Sequence, residues 1–439
     1  MSKVITVREY ARLTTGAVTP SLDEASVCAA DFDWLCIMNA AVQKRGAPLL
    51  LIENRHWLRL DSFVGIVEMP SGVSLEILPK HHSAENSANA SRQLLRKMIQ
   101  SLLNLPTRQF GAADIELFDA PLSEWVMQEF LRALESLCQR GIRFDFQRVE
   151  EEQRHLRGQL DIAKQLRQRP GRQHYFQTRH DVFTADRAEN RLLKSALGLV
   201  AARTRVSASY KLAHDLTRVL ADIPVSRDYQ NDFQQWGDDR LMAHYIAIRR
   251  WCGLILGEQT PIAVHGAWRG ISLLFPMEKL FERYVAAALQ RHLPGSYALK
   301  AQASSRFLCI HDDKPMFQLK PDMVVHHGLH AWVLDTKWKL IDASARGKNY
   351  FLDQSDFYQL FAYGQRYVTG AGSLVLIYPA TGKFDAPLAS FHFSDTLRLL
   401  ALPFDLDKGC LVQPEPGVFD LQMPAVGGGA ASAELLARV

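Results

Sequence analysis

The stretch "KPDMVVHHGLHAWVLDTKWKL", residues 320–340, sets charged residues beside runs of apolar ones. Its "MVV" and "WVL" segments predict two adjacent buried strands joined by "HHGLH". Side chains two positions apart on a strand point to the same face, so Asp335 and Lys337 should be neighbours. Asp322, at the start of the preceding strand, can approach them. The stretch therefore predicts a charged site at the rim of a hydrophobic sheet.

Two carboxylates and a lysine in one place suit phosphodiester hydrolysis. Close carboxylates repel each other, and a divalent cation between them keeps both ionised. Oxygen ligands without a nearby cysteine favour Mg²⁺ or Mn²⁺ over zinc. Such an ion activates water and neutralises charge on the phosphate, while Lys337 can position the water or stabilise the oxyanion. The alternative, from so short a motif, is a surface ion pair between Asp335 and Lys337.

Two predicted helices flank this stretch and carry further polar candidates. "FPMEKLFERYV" places Glu278 and Glu282 at i, i+4 on one face. Glu278 lies in the first turn, where a carboxylate commonly offsets the helix dipole, so Glu282 is the better candidate for a metal ligand. "DFYQLFAYGQRY" places Gln359 and Tyr363 one turn apart. Gln359 can hold the DNA backbone or a ligating water and Tyr363 a phosphate; the alternative is helix packing.

Hydrophobic patterns along the chain predict an α+β multidomain protein. Residues 1–85 alternate short strands with turns, including a hairpin at "MPSG", and predict a β-rich module. Residues 86–258 show helical periodicity and predict a mainly helical region. Residues 259–402 run helix, strands, helix, strand, which predicts a compact α/β domain with a mixed sheet. Residues 403–439 end in a Gly/Ala-rich segment and are expected to be a partly flexible extension.

A basic stretch at residues 154–180 is the candidate nucleic-acid surface of the middle region. The whole chain carries a formal net charge of only +4, so any such surface must be local. The candidate DNA-binding residues of this stretch are Arg154, Arg157, Lys164 and Arg167. The alternative is a solvated basic helix and loop without a ligand.

The remaining composition favours a protein of the reducing cytoplasm. Hydrophobic residues make up 47% and charged residues 22% of the chain, as in folded globular proteins. The six cysteines form no C-x-x-C pair, which disfavours zinc knuckles and disulfides. The first residues lack the apolar core of a signal peptide, and no apolar run approaches the ~20 residues of a membrane span.

The order of these motifs resembles that of a known nuclease family. A glutamate helix, then P-D, then D-x-K after an apolar strand, then Q-x-x-x-Y resembles the PD-(D/E)xK nuclease superfamily. More narrowly, the chain resembles the McrC family, the nuclease subunits of McrBC modification-dependent restriction systems. The supporting stretches run from residue 4 to about residue 367: "ITVREYARL", "VSLEILPK", "LLRKMIQSLLNLP", "HLRGQLDI", "AENRLLKSAL", "FPMEKLFERYV", "KPDMVV", "VLDTKWK" and "DFYQLFAYG".

The resemblance implies a Mg²⁺-dependent endonuclease with Asp322, Asp335 and Lys337 as its catalytic core, joined less firmly by Glu282. It also implies that the module of residues 1–85 binds a partner, a hexameric McrB-like AAA+ GTPase ring that recognises 5-methylcytosine in double-stranded DNA, and that nuclease domains pair as a dimer. The chain has no G-x-x-x-x-G-K-[ST] phosphate loop, so energy must come from that partner.

Arg157, in "LRGQLDI", is a candidate for stimulating the GTPase partner. Its competing interpretation is a buried structural arginine paired with Glu150, Glu151 or Glu152. Two other functions stay open for the whole chain: a non-catalytic adaptor that activates the GTPase motor, and a stand-alone repair nuclease of the same superfamily.

Overall fold

The computed structural model describes residues 4–43, 48–80, 87–103, 121–172, 174–237, 240–257, 273–328 and 330–413. The chain forms two compact units. The first combines Met1–Asp119 with Leu274–Val439, and the second is Ala120–Leu273. The first unit is therefore discontinuous in sequence. Its limits differ from the predicted segment boundaries at residues 85 and 258.

The N-terminal part of the first unit is built on two sheets. Its strands are β1 (Val4–Arg8), β2 (Arg12–Thr14), β3 (Glu24–Ser26), β4 (Leu50–Ile52), β5 (Trp57–Leu60), β6 (Phe63–Glu68) and β7 (Ser74–Leu78). With β11 (Leu273–Pro276) they pair in the orders β1-β7-β6-β11 and β3-β2-β5-β4. Strands β6 and β7 are antiparallel, which confirms the predicted hairpin.

Two helices accompany these sheets. Helix α1 (Ala29–Gln43) was not predicted from the sequence. Helix α2 (Ala88–Leu102) begins at Ser87, whose hydroxyl accepts a hydrogen bond from the backbone of Ala90 and caps the helix. Helix α2 packs against α9 (Met277–His292), which belongs to the C-terminal part of the chain. This packing explains why the first unit reaches past the predicted boundary at residue 85.

The C-terminal part of the first unit contains the predicted mixed sheet. Its strands are β12 (Ala298–Ala301), β15 (Met323–His327), β16 (His330–Thr336), β17 (Gly372–Pro379), β18 (Phe391–His392), β19 (Leu397–Asp405) and β20 (Cys410–Leu411). The order is β12-β15-β16-β17-β19-β18, and β20 pairs with β19. The β16–β17 and β17–β19 pairs are parallel, whereas β15–β16 is antiparallel.

Helix α10 (Gln354–Tyr367) covers part of this sheet. Its Leu360 and Tyr363 join a buried cluster with Val333 of β16 and with Leu374 and Leu376 of β17. Helix α9 also packs against β16. Strand β16, which carries Asp335, is therefore held by a partner strand on each side and by two helices.

A separate hairpin precedes β15: β13 (Arg306–His311) pairs antiparallel with β14 (Lys314–Leu319). The extension predicted to start at residue 403 begins inside β19, where parallel pairing with β17 continues to Phe404. Residues 414–439 of that extension lie outside the described part of the chain.

The second unit combines helices with a small antiparallel sheet. Its helices are α3 (Leu122–Arg140), α4 (Ile162–Leu166), α5 (Ala188–Arg203), α6 (Ser207–Val219), α7 (Tyr229–Gln235) and α8 (Ile246–Ile255), with a 3₁₀ helix at Arg240–Tyr245. Its strands β8 (Asp145–Gln153), β9 (Gln159–Leu160) and β10 (Phe176–Thr184) pair in the order β8-β10-β9. Within the basic stretch 154–180, β9 and the first five residues of β10 are strand, α4 is helix, and the other described residues are turns and loops, which agrees with the helix and loop of the alternative interpretation.

Among the described residues, no helix has both the length and the apolar character needed to cross a lipid bilayer.

Candidate active site

Asp335 lies buried at the end of strand β16. Its side chain is 2% exposed, and its backbone pairs with Leu376 of the neighbouring strand. The chain continues alongside β17, because the backbone N–H of Lys337 donates to the carbonyl of Ile377 at 2.9 Å. The ammonium of Lys337 then lies 2.9 Å from Asp335 Oδ2. The predicted proximity of Asp335 and Lys337 is confirmed, although Lys337 follows the strand instead of belonging to it.

Asp322 is tied to the same strand end by hydrogen bonds. It precedes strand β15, and its Oδ2 accepts from the backbone N–H of Thr336 at 2.7 Å and from the Thr336 hydroxyl at 2.6 Å. Because Thr336 sits between Asp335 and Lys337, these bonds hold the start of β15 against the end of β16. The alternative of an exposed ion pair between Asp335 and Lys337 is wrong, since the aspartate is buried.

The acidic groups of this cluster resist ionisation. The pKa of Asp335 is raised to about 7, chiefly by burial and then by the nearby Asp322, while Lys337 opposes the rise. Burial likewise raises the pKa of Asp322, against the hydrogen bonds from Thr336. Burial alone would lower the pKa of Lys337, but Asp335 and other carboxylates outweigh it and hold that pKa above its ordinary value. The site therefore holds more carboxyl groups than its one lysine can keep ionised.

Glu282 on helix α9 faces the same cluster. Its Oε1 accepts a hydrogen bond from the Gln302 side chain at 3.1 Å. Burial raises the pKa of Glu282, and the charge of Asp322 raises it further. Glu278, one turn earlier, is exposed. Of the two glutamates, Glu282 is the one whose charge is coupled to Asp322.

Helix α10 supports Lys337 through a chain of hydrogen bonds. The Lys337 ammonium donates to Gln359 Oε1 at 3.1 Å, and Gln359 Nε2 donates to the Tyr363 hydroxyl at 2.7 Å. The Tyr363 hydroxyl in turn donates to the carbonyl of Lys320 at 3.1 Å. Tyr363 is 3% exposed. This burial does not fit the predicted phosphate contact for Tyr363, and its packing against the sheet agrees with the alternative interpretation.

Asp356 is a member of the site that the sequence analysis missed. Its Oδ1 lies 3.4 Å from the Lys337 ammonium. Asp356, Gln359 and Tyr363 are spaced i, i+3, i+7 on α10, so all three lie on one helical face. That spacing was the signal available in the sequence, and it would have added Asp356 to the Gln359–Tyr363 pair.

The cluster offers ligands that suit Mg²⁺. Asp335 Oδ2 is buried with the Lys337 ammonium 2.9 Å away, and Thr336 uses only one oxygen of Asp322. Across the described residues, no three His, Cys, Asp or Glu side chains are close enough to form a ready metal site. Mg²⁺ commonly binds through one or two carboxylates and keeps several waters. The donors of Asp322 and Asp335 therefore fit this ion, or Mn²⁺, with Glu282 nearby.

The basic candidates of the second unit are mostly engaged with neighbours. Lys164 pairs with Glu150, and the guanidinium of Arg154 lies 5.7 Å from the centre of the Tyr175 ring. Arg167, just after α4, is exposed. None of these side chains belongs to the Asp335 cluster, which lies in the other unit.

Arg157 is exposed at the turn between β8 and β9. The acids proposed as its structural partners bind other groups: Glu150 pairs with Arg179, Glu151 with His180, and Glu152 with Arg172. No ion pair joins Arg157 to any residue in the described ranges. The interpretation of Arg157 as a buried structural arginine is therefore wrong.

Comparisons with known proteins agree with this architecture. Two solved structures from Thermococcus gammatolerans are similar. One is the refined half-complex from a tetradecameric assembly of McrB AAA+ hexamers with bound McrC: TM-score 0.66, 18% identity, covering 93% of this chain and 98% of that chain. The other is the cryo-EM structure of the McrBC complex: TM-score 0.50, 19% identity, covering 66% and 88%. At these identities the likeness concerns the fold alone.

Sequence comparison identifies the family. A search among curated proteins found no match. A family model described as "McrBC 5-methylcytosine restriction system component" matches residues 58–379, which is more than half of the chain and includes Glu282, Asp322, Asp335 and Lys337. The chain belongs to the McrBC family of 5-methylcytosine restriction system components, as its motifs had predicted.

Proposed function

We propose that this chain is the McrC-type nuclease subunit of its restriction system, with a PD-(D/E)xK endonuclease domain in the first unit. Its activity is Mg²⁺-dependent hydrolysis of phosphodiester bonds in double-stranded DNA that carries 5-methylcytosine. The observation that carries the proposal is the cluster of Asp322, Asp335 and Lys337 at one end of β16. Buried acids with raised pKa values beside a lysine are costly to fold and are typical of catalytic sites.

Each side chain of the cluster has a distinct task in this proposal. Asp322 and Asp335, with Glu282 nearby, would hold Mg²⁺, which supplies an activated water and neutralises charge on the phosphate. Lys337 stays protonated at neutral pH because its pKa is raised, so it acts by charge and hydrogen bonding and not as a base. Gln359 holds the Lys337 ammonium in place from helix α10.

The partner in this proposal is an McrB-like AAA+ GTPase ring. The similar solved assembly joins McrB AAA+ hexamers with bound McrC, and this chain has no phosphate loop of its own. Arg157, exposed on the second unit, is the residue proposed to stimulate the GTPase. Arg154, Lys164 and Arg167 are the proposed DNA contacts of the second unit. We further propose that the complex acts in the cytoplasm and that its nuclease domains pair.

The experiment measures DNA cleavage separately from stimulation of the partner GTPase. Asp335→Asn and Lys337→Ala are each expected to lower cleavage of methylated DNA by at least about a hundredfold, because each removes a charge that acts on the transition state. Stimulation of partner GTP hydrolysis should stay near the wild-type value. Cleavage is measured on supercoiled methylated plasmid with partner, GTP and Mg²⁺.

Matched controls are available in the same unit. Asp385→Asn and Lys408→Ala change an exposed acid and an exposed lysine that pairs with Asp405, and both should cut like wild type. Full cutting by Asp335→Asn or Lys337→Ala would refute the catalytic assignment. If wild type itself stimulates the GTPase but never cuts, the chain is an adaptor and not a nuclease.

A further inference from the structure

Glu9 is a fully buried carboxylate just after strand β1. Its side chain is 0% exposed. The backbone N–H of Lys80 donates to Oε1 at 2.8 Å, and the indole N–H of Trp338 points between its two oxygens, 2.9 Å from Oε1 and 3.0 Å from Oε2. The N-terminal sheet therefore holds the indole from 329 positions away in sequence.

Trp338 connects Glu9 to two parts of the proposed nuclease site, which are Lys337 and the segment of α9 that carries Glu282. It directly follows Lys337, so a shift of its ring displaces the backbone that carries the ammonium. Its ring also packs against Phe281, with ring centres 5.2 Å apart, and Phe281 directly precedes Glu282 on α9. One side chain is thus adjacent to Lys337 in the chain and touches the neighbour of Glu282.

The arrangement around Glu9 is energetically costly. Burying a carboxylate removes its hydration, and this burial raises the pKa of Glu9. The next residue, Tyr10, has a backbone φ of 63°, a left-handed conformation that is rare for a bulky side chain. An apolar residue at position 9 would avoid the cost of burying a carboxylate. Costs of this kind are often retained where a side chain must be held in one orientation for function.

We propose that Glu9 is a positioning residue for the nuclease site: its carboxylate fixes the Trp338 indole, and the indole fixes the backbone that presents Lys337. The inference rests on the proposed nuclease function. It assigns to the N-terminal module a role in cutting, which is separate from any contact of that module with the partner.

Substitutions at the two ends of the link test the proposal. Glu9→Ala and Trp338→Phe each break the hydrogen bond, and each is expected to lower kcat for DNA cleavage tenfold or more, since a misplacement of roughly 1 Å can cost about a hundredfold. KM for DNA and stimulation of the GTPase should not change. Because both changes break one link, the double variant should be no slower than the slower single variant. Glu9→Gln keeps an acceptor for the indole and should recover most of the lost kcat.

A second buried acid in the same sheet gives the control. Glu76 on β7 is also 0% exposed and is held by Arg92 at 2.7 Å and by the Thr6 hydroxyl. Glu76→Gln should lower the melting temperature but leave kcat unchanged. If Glu76→Gln lowers kcat as much as Glu9→Ala, or if folded Trp338→Phe cuts at the wild-type rate, the positioning role is overturned.

A spectroscopic readout does not depend on cutting. In protein labelled with ¹⁵N-tryptophan, the Trp338 indole signal is identified by its loss in Trp338→Phe. At pH 8, where Glu9 is ionised, it should move upfield in Glu9→Ala, because the strong carboxylate acceptor is gone, and an unmoved signal contradicts the link. If Lys337→Ala cuts normally, the proposed function fails; if only Lys337→Ala loses activity and Glu9→Ala does not, the inference alone fails.

Discussion

The carboxyl group of Asp335 lies in surroundings that disfavour its ionised form. It is buried beside a second acid, and only Lys337 approaches it with the opposite charge at 2.9 Å among the described residues. A core built for stability alone would place apolar side chains here, since buried ion pairs rarely repay their desolvation. The burial of these charged groups therefore fits the proposed catalytic role better than a role in stability.

Glu9 allows the cost of one such acid to be measured. Its pKa is raised to about 7 by burial, against the opposing effect of Lys80 and with a smaller contribution from Asp61. Between pH 4.5 and 7 the folded protein keeps this proton while the unfolded chain releases it. The free energy of unfolding should therefore fall as pH rises through this window, by on the order of 3 kcal/mol from this group.

The Glu9→Gln variant should lack that part of the pH dependence, because its side chain does not titrate. Urea denaturation at pH 5 and pH 8 measures the difference. The exposed Asp385→Asn serves as the control and should behave like wild type. A Glu9→Gln protein that loses as much stability between the two pH values as wild type would contradict the raised pKa.

At the level of elements, the turn before β9 depends on one glycine. Gly158 has a φ of +76°, and a Cβ there would lie 2.4 Å from the backbone oxygen of Arg179 and 2.6 Å from His180 Cβ. Gly158→Ala is therefore expected to force β9 away from β10 and to destabilise the second unit by at least about 2 kcal/mol. Thermal unfolding of the full chain measures the loss.

Gly171, which also has a positive φ, is the matched control for the substitution at Gly158. Its φ is +92°, but a Cβ there meets nothing within 4 Å, so Gly171→Ala should carry only the cost of the backbone conformation. Gly158→Ala should be the less stable of the two variants. Equal stability of the two proteins would show that the close approach to β10 is unimportant.

Elements with strong local patterns could be predicted from the sequence. Helix α10 contains the whole of the predicted helix "DFYQLFAYGQRY", and β17 is the strand predicted after it. Helix α1 was missed because its apolar residues do not form one stripe: Phe32 and Leu35 are buried, whereas Ile37 is 69% exposed. Strand β8 was missed because most of its side chains are exposed and charged, so it lacks the alternation of a half-buried strand.

The residues of the candidate site could likewise be predicted only where a local pattern indicates them. Asp322, Asp335 and Lys337 could be predicted because a strand's two-residue period fixes which neighbours share a face. Glu9 could not, because its bond to Trp338 spans 329 positions and no periodicity reports a contact at that separation. Trp338 packs against Phe281, an ordinary core contact, but no local pattern in the sequence indicates its hydrogen bond to Glu9.

Across the whole molecule, the two proposed activities lie in different compact units. The carboxylate cluster belongs to the first unit, and Arg157 to the second. Arg157→Ala should therefore leave the fold intact, because the side chain is exposed, and should lower stimulation of the partner GTPase at least tenfold. DNA cleavage should fall with it, since the motor no longer delivers substrate.

Arg218 on α6 is an exposed arginine of the same unit, and Arg218→Ala should stimulate like wild type. Stimulation is measured as GTP turnover by the partner at saturating amounts of each variant. A folded Arg157→Ala protein with full stimulation would remove Arg157 from the proposal. The same variant with full cleavage but no stimulation would separate cutting from the motor.

The first unit takes its residues from both ends of the chain, with Ala120–Leu273 between them. During translation Glu9 and the N-terminal sheet emerge first, while Trp338 and β16 emerge more than three hundred residues later. At about 5–20 residues per second this delay is on the order of 15–60 s. A polypeptide that ends before β16 consequently lacks Asp335 and Lys337, so under the proposed function unfinished copies would be unable to cut the DNA of their own cell.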